Sequence, residues 1–319
     1  MRTAPLPIET NYLRRGKTMI LRRGKTMINK DLPDDFRPQE YLSLNPDIRL
    51  AGIDPKKHYI EFGRKEGRLY NFDHTPRNRT EFFARLQNFS RILEIGPFDR
   101  PIAPQYCKPG SNIEYADLLG TDDLVLRAQK LPDRNPSNVP KINYVITESL
   151  SSKISKRFDC IISSHVMEHT PDLISHIKDI ELIIDDGGAY FFILPDIRDM
   201  FDVYFKECDL PEIITAYFEK RTRPTLRSVI EHRVFTVSDL KHGQDPFRHP
   251  VDNMLLRILE AKKEFECNNY VDVHCWYFTP ESIFNILNSL IRIGFISNKW
   301  DIKIFPLGVE IGGILRMKG

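Results

Sequence analysis

The sequence contains few cysteines, and no two of them have the close spacing of a metal-binding or redox pair. It has five cysteines, an odd number, and no two of them form a Cys-x-x-Cys pair. Scattered cysteines in odd number favour reduced thiols over a disulfide framework. The sequence therefore predicts a cytoplasmic protein without structural disulfides.

Long apolar runs are also missing. The longest, such as AYFFIL at 189–194, falls far short of the roughly 20 residues that span a bilayer. The amino terminus is basic but lacks the apolar segment of roughly 7 to 15 residues found in a secretory signal. We therefore expect neither a transmembrane segment nor a secretory leader.

The sequence has no large excess of one charge outside its amino terminus. Residues 1–30 hold eight Lys or Arg and one Glu, so the other 289 residues carry a net charge of −5. This balance argues against a nucleic-acid-binding face on the folded part. The first 30 residues include a tandem repeat, LRRGKTMI, whose two short copies cannot build a solenoid. We expect residues 1–35 to be a flexible basic leader, with contact to anionic lipid at the inner membrane as an alternative.

Residues 36–72 form a segment of different composition. Short apolar clusters alternate there with the turn signals NPD and AGIDP, which predict two or three short helices. The segment YLSLNPD…AGIDPKKHYIEFGRKEGR resembles a small module that accompanies glycosyltransferases and other cell-surface polysaccharide proteins. The resemblance implies docking to glycan-assembly proteins, whereas a helical prop packed on the main domain is the alternative. The polar stretch 71–80 is interpreted as a linker.

From residue 81 onward, strand patterns alternate with helix patterns, which is typical of a largely parallel sheet with crossover helices. Two helices are expected to start at capping sequences, Thr170-Pro171-Asp172 and Thr279-Pro280-Glu281, and Gly187-Gly188 is expected to end the first. The alternation breaks at about 197–270, which predicts a helical insertion. The predicted strands are 91–95, 112–117, 142–147, 158–164, 188–195, 298–305 and 308–317.

The stretch RILEIGPFDRP begins like a nucleotide-binding turn but lacks the later glycines of Gly-x-Gly-x-x-Gly. Gly96 supplies the one residue without a Cβ that the turn requires. The absent glycines serve close approach to a pyrophosphate, which S-adenosylmethionine does not have. Asp117 follows Gly96 by 21 residues and ends the next strand, where an acid holds a ribose diol. These features favour a nucleoside-containing methyl donor over a dinucleotide.

Further residues complete the predicted donor site. Pro97 is expected to stiffen the loop, and Glu94 to act through the loop on the ammonium group of the donor. Thr147 and Glu148 follow the third strand, where they can flank the adenine. Ser164 ends the fourth strand and is assigned to the same site.

The segment FDCIISSHVMEHTPDL resembles the fourth strand and following turn of class I S-adenosylmethionine-dependent methyltransferases. Together with LEIGPFDRP, YAD and GGAYFFILPDIRDMFD, the resemblance covers roughly residues 88–202. It continues through RPTLRSVIEH, DPFRHP and DVHCWYFTPESI, which look like a branch found in polysaccharide biosynthesis. The resemblance implies a Rossmann-like, seven-stranded α/β methyltransferase domain at 81–319, with S-adenosylmethionine as cofactor and a sugar or glycan-linked acceptor.

Three histidines are candidates for catalysis. His165 lies at the carboxyl end of the middle strand, and its ordinary pKa of about 6.5 suits a general base. His249 and His274 lie in polar, aromatic stretches that fit a carbohydrate-facing lid, although each is equally compatible with a structural role. The other members of that predicted lid are His242, Asp245, Phe247, Arg248, Asp272, Trp276 and Tyr277.

Two other functions remain as alternatives. The letters HVMEH also spell a zinc-peptidase signature, but that chemistry requires a continuous helix, and here a strand precedes it and a new helix start follows. A divalent metal held by Asp272 and the histidines is a further alternative, but the spacing of these residues is not diagnostic, so no metal ligand is assigned. A non-catalytic methyltransferase fold that docks glycan-assembly enzymes through 36–72 is the second alternative.

Overall fold

In this computed structural model the described residues are 32–66, 68–202, 204–236, 251–267 and 271–319. Within them, seven strands form a single sheet in the order β3-β2-β1-β4-β5-β7-β6. The strands are β1 (Arg91–Ile95), β2 (Asn112–Asp117), β3 (Tyr144–Val145), β4 (Phe158–Ser164), β5 (Ile184–Pro195), β6 (Trp300–Pro306) and β7 (Glu310–Met317).

The sheet is parallel except at one side. Strand β1 pairs in parallel with β2 and β4, and β4 pairs in parallel with β5, whereas β7 is antiparallel to both β5 and β6. The strand order reverses between β1 and β4, and ligands of open α/β sheets bind at the carboxyl ends beside such a reversal. The predicted Rossmann-like seven-stranded fold is confirmed, including its closing pair of strands.

The central strands are apolar on both faces because helices cover both sides of the sheet. Successive residues of β5 alternate between two cores, with Tyr190 and Phe192 in one and Phe191 and Ile193 in the other. Phe192 fits against β7 because position 313 is glycine, where a Cβ would overlap the Phe192 ring.

The helices fall before the sheet, between its strands and in the insertion. They are α1 (Pro38–Leu44), α2 (Pro46–Leu50), α3 (Pro55–His58), α4 (Arg79–Phe83), α5 (Ala103–Tyr106), α6 (Thr121–Gln129), α7 (Leu150–Lys153), α8 (Leu173–Ile183), α9 (Leu210–Glu219), α10 (Leu226–Ile230), α11 (Val251–Glu266) and α12 (Pro280–Ile293). Tyr59–Gly63 and Glu231–Phe235 are π-helical turns, and 3₁₀ turns cover Ala84–Asn88, Pro136–Asn138 and Met167–His169.

The capping prediction was right for α12 and wrong for α8. Thr279 caps α12 as expected, and it also forms a reciprocal capping box with Ser282 that the sequence analysis did not predict. The cap of α8 is Asp172 and not Thr170, because the Thr170 hydroxyl donates to the carbonyl of Met167 and closes the preceding 3₁₀ turn.

Two element boundaries also differ from the prediction. Helix α8 ends at Ile183, so Gly187 and Gly188 do not end it but lie inside β5, which begins four residues earlier than expected. Strand β3 is limited to Tyr144–Val145 within the predicted 142–147.

The short helices α1 to α3 and the π-helical turn after them pack around a small aromatic core. Phe36 and Tyr59 lie there with ring centroids 5.1 Å apart, beside Tyr41 and Ile48. The Ser43 hydroxyl donates to Gln87 and joins this group to the segment that precedes β1. No helix of the described residues is long and apolar enough to cross a membrane.

Candidate active site

The turn after β1 requires glycine for two physical reasons. Gly96 has φ +67°, a left-handed conformation that other residues rarely adopt, and its N–H donates to the carbonyl of Ala116 at 2.8 Å. A Cβ at this position would lie 2.6 Å from Cγ2 of Val166, the residue after His165. The loop and the end of β4 are therefore in direct contact.

Two buried carboxylates hold the rest of this loop. Glu94 accepts the N–H groups of Ile102 and Ala103 at 2.7 and 2.9 Å, while Asp99 accepts the N–H of Asn135 at 2.8 Å. Glu94 thus fixes the far end of the loop, and the effect predicted for it on the ammonium group of the donor stays a prediction.

The acid–base behaviour of Glu94 gives a test of this bracing role. Burial raises the pKa of Glu94 from 4.5 to about 7 despite the two N–H donors. The folded state then holds the proton more tightly than the unfolded chain, so the stabilisation is complete below pH 4.5 and is lost as the pH rises through 7. Relative to Glu94→Gln, the wild type should lose about 2 kcal/mol of unfolding free energy between about pH 5 and pH 8. Urea unfolding of both proteins at each pH measures this difference, and parallel pH curves would contradict it.

The remaining predicted donor residues lie along the same sheet edge. Asp117 ends β2, and its Oδ1 accepts the N–H of Leu119 at 3.0 Å, while burial raises the pKa of the carboxyl above its usual value. Pro97 is buried in the loop, and Thr147 and Glu148 are exposed just beyond β3. Two features of this edge fit S-adenosylmethionine. The turn at Gly96 has no room for a Cβ, and the acid Asp117 ends the neighbouring strand β2. The individual contacts of these residues stay predictions.

A chain of polar contacts crosses the carboxyl end of β4. Ser164 Oγ accepts from Arg79 Nη2 at 2.8 Å, and Arg79 Nη1 donates to Glu310 Oε1 at 2.7 Å. The same Glu310 oxygen lies 2.8 Å from Nε2 of His165. Arg79 and Glu310 escaped the sequence analysis because they are 231 residues apart and belong to no local motif.

His165 is placed at the predicted strand end but between two carboxylates. Nδ1 lies 3.2 Å from Glu168 Oε1, and Nε2 faces Glu310. Burial alone would lower the pKa of His165, but the two carboxylates outweigh it and raise the pKa to about 9. The ring in this arrangement holds its proton near neutral pH, whereas a general base needs the neutral ring. Its catalytic role stays a prediction.

The geometry of a zinc peptidase is absent from 165–169. Strand β4 ends at Ser164, His165 has φ +54°, and only Met167–His169 form a 3₁₀ turn. The helix that would bring His165 and His169 together on one face does not exist, so the peptidase alternative is wrong.

A different cluster forms instead around Glu168, His169 and His274. Each offers one ligating atom, and these atoms lie within 4.8 Å of one another. Nδ1 of His274 lies 2.5 Å from Oδ2 of Asp202. Asp272 lies 3.0 Å from Nδ1 of His169. The sequence singled out His274 and Asp272 by type, but Asp202 was missed because it is 72 residues from His274.

The predicted carbohydrate-facing lid is only partly described. Trp276 and Tyr277 are 2% and 5% exposed, so they are core residues and do not present ring faces to a sugar. Nε1 of Trp276 donates to the carbonyl of Thr170. The other predicted members, including the candidate base His249, lie outside the described residues: His242, Asp245, Phe247, Arg248 and His249.

The fold and the site define a class of protein, the S-adenosylmethionine-dependent methyltransferases. The defining features are a seven-stranded sheet with one antiparallel strand beside β5, a glycine turn after β1 and an acid that ends β2. Residues 67–289 match the model of a family described as a methyltransferase domain, and the chain belongs to this family. The protein is therefore a methyltransferase with S-adenosylmethionine as its cofactor.

Solved structures of methyltransferases resemble the chain at low identity. Human N-acetylserotonin methyltransferase shares 14% identity with a TM-score of 0.35, over 73% of this chain and 49% of that one, so the chain spans about half its length. An S-adenosylmethionine-dependent methyltransferase from Clostridium acetobutylicum shares 11%, with a TM-score of 0.39, over 86% and 100% of the two chains. The plantazolicin methyltransferase BpumL shares 10%, with a TM-score of 0.40, over 88% and 96%. No curated protein matches the sequence, and the assignment rests on the family match.

Proposed function

We propose that the protein methylates a sugar or glycan-linked acceptor during polysaccharide biosynthesis, in the cytoplasm. The observation that carries the proposal is the cluster of Glu168, His169 and His274 after β4, beside the loop at 96–102 that we call the donor loop. His169 is the member of this cluster that stays partly exposed, so it can meet an acceptor hydroxyl. The resemblance of RPTLRSVIEH and DVHCWYFTPESI to a polysaccharide branch supports the choice of a sugar.

For the donor, we propose that the Asp117 carboxylate accepts both ribose hydroxyls. Gly96 and Pro97 shape the loop beneath the methionine part, and Thr147 and Glu148 flank the adenine. Glu94 supports the loop from behind, because its carboxylate accepts the N–H groups of Ile102 and Ala103. Ser164 contributes by holding Arg79 at the edge of the site.

When bound, S-adenosylmethionine supplies a sulfonium methyl group for in-line displacement by an acceptor oxygen. The chain's own task is to position that oxygen and to receive its proton. His274 suits the second task because Asp202 orients its Nδ1 and leaves Nε2 for another partner. His249 is another proposed acceptor of the proton, and His165 is one above about pH 9, where its own ring is neutral.

An acceptor panel tests the proposed function directly. Incubation with S-adenosylmethionine and separate nucleotide sugars and lipid-linked oligosaccharides should yield one product roughly 14 mass units heavier, the mass of an added CH₂. A donor labelled in its methyl group should increase this shift by the mass of the label. Asp117→Ala serves as the inactive control. Donor binding by calorimetry without any methylated sugar would contradict a sugar acceptor and favour the non-catalytic alternative.

We further propose a division of the chain into a leader at 1–35, a small helical module at 36–72 and a methyltransferase domain at 81–319. The insertion of that domain covers about 197–270. The module at 36–72 serves as a docking module. Leu50 and Phe62 are 84% and 53% exposed, which supports contact between this module and glycan-assembly proteins. Co-purification of such proteins that persists in a Leu50→Ser, Phe62→Ser double variant would contradict docking through these side chains.

A further inference from the structure

Glu168 has a buried carboxylate that lacks hydrogen-bond donors. It is fully buried, and neither oxygen has a hydrogen-bond partner among the described residues. His165 Nδ1 lies 3.2 Å from Oε1 but outside hydrogen-bond geometry. A buried carboxylate with so few partners is costly, and an unplaced ion is one of the ordinary explanations. The protonated ring of His165 supplies charge to this carboxylate but no hydrogen bond, so both oxygens remain available to a bound cation.

Two imidazoles lie beside this carboxylate. The rings of His169 and His274 have centroids 4.7 Å apart and meet edge to face, and their ligating atoms lie within 4.8 Å of that of Glu168. Asp202 contacts Nδ1 of His274 at 2.5 Å, which leaves Nε2 of His274 as the ligating nitrogen. A carboxylate behind an imidazole is the usual support of a metal-bound histidine.

The backbone holds the three residues in place without a metal. Glu168 and His169 belong to the 3₁₀ turn that follows β4, and the N–H of Cys275 donates to the carbonyl of Glu168 at 2.7 Å. The thiol of Cys275 lies 3.6 Å from the carbonyl of His169. The turn and the segment that carries His274 are thus joined side by side, as a preformed site requires.

We propose that Glu168, His169 and His274 bind one divalent transition-metal ion of the zinc type. One carboxylate with two imidazoles is the ligand set of several catalytic zinc centres, which keep a further position open. Imidazole ligands favour zinc, cobalt or iron over magnesium and calcium. The ligands come from a turn and a distant segment, so the site is unrelated to the helical peptidase signature.

The location of the site gives the ion a role that rests on the proposed function. Asp272, beside His169, receives a hydrogen bond from Arg127, whose guanidinium lies 5.7 Å from the Phe98 ring in the donor loop. Val166, between His165 and the turn, contacts Gly96. The open position of the ion is thus close to the donor loop, where it would bind an acceptor hydroxyl and increase its acidity. With the ion bound, Nε2 of His274 is a ligand, so the ion takes over the role proposed for that nitrogen in removing the hydroxyl proton.

Metal binding by the full chain tests the site independently of catalysis. Protein dialysed against a chelator should bind one equivalent of Zn²⁺ by calorimetry and metal analysis, and Co²⁺ should give a visible absorption band. Glu168→Gln and His274→Ala should each weaken Zn²⁺ binding at least tenfold, since even supporting residues of metal sites cost about 10- to 100-fold. Glu168→Gln keeps the side-chain shape and removes a buried charge, so it should fold. Glu114→Gln and His74→Ala, which alter residues outside the cluster, should leave Zn²⁺ binding unchanged.

Several outcomes would overturn the site: no stoichiometric Zn²⁺ or Co²⁺ binding by the wild type, preference for Mg²⁺, or equal binding by Glu168→Gln and wild type. Calorimetry with S-adenosylmethionine, which all variants should still bind, shows that they are folded. Zinc binding without a methylated sugar product would contradict the proposed acceptor and leave the metal site standing. A methylated sugar product without zinc binding would contradict the metal site and leave the proposed acceptor standing.

Discussion

Replacing Asp117 with alanine is expected to weaken S-adenosylmethionine binding about 100-fold. The carboxylate ends β2 at the sheet edge beside the Gly96 loop, where it can accept both ribose hydroxyls. A hydrogen bond to a charged group contributes about 1.5 kcal/mol or more, so losing two costs about 3 kcal/mol, or about two decades in the dissociation constant. Isothermal titration calorimetry with S-adenosylmethionine measures the change.

Two further variants make this result specific. Asp117→Asn keeps the shape and one acceptor oxygen, so its affinity should fall between wild type and Asp117→Ala. Asp133→Ala removes an exposed acid from the loop after α6 and should bind the donor normally. Unchanged affinity in Asp117→Ala would end the assignment of this residue to the ribose.

The substitution Gly96→Ala should lower the free energy of unfolding by about 3 kcal/mol. A left-handed conformation costs an ordinary residue about 1 to 2 kcal/mol, and overpacking adds about 1 to 3 kcal/mol. The overpacking arises because the new methyl would lie 2.6 Å from Cγ2 of Val166. Urea unfolding gives the stability change, and donor binding should fall with it because the loop must shift.

The chain contains a matched control for the backbone part of this effect. Gly110 also has a positive φ, +83°, but no atom lies within 4 Å of the position of its Cβ. Gly110→Ala should therefore lose only the conformational part. Adding Val166→Ala to Gly96→Ala should recover part of the loss by removing the contacting methyl. Equal losses in the two alanine variants would show that the Val166 contact has no energetic effect.

The sheet was predictable because its signals are local. Each buried strand is a short apolar run between turn residues, and the sheet ends with an antiparallel pair after α12, as the pattern indicated. The Thr279 cap was also found, since threonine, proline and a polar third residue lie within four positions. The α8 cap failed because Thr170 and Asp172 are both good caps, and only the preceding 3₁₀ turn decides between them.

The site was less predictable because its partners are distant in sequence. Histidine and carboxylate types drew attention to Glu168 and His274, but nothing local indicated that Asp202 supports His274 or that Arg79 meets Glu310. Aromatic character suggested that Trp276 faces a sugar, whereas packing against the sheet buries it. Residue type identified candidates, and only the fold decides which of them meet.

The contact of Arg79 with Ser164 and Glu310 alters where this protein can be divided. Arg79 precedes the first strand and falls in the stretch that composition marks as a linker, yet its guanidinium reaches the edge of the active centre. A shortened protein that starts at residue 81 would keep every strand and lose that guanidinium. Replacing the amino-terminal helices by those of another protein must therefore keep α4, because Arg79 is its first residue. The replacement must also hold α4 in the position that lets Arg79 contact Ser164 and Glu310.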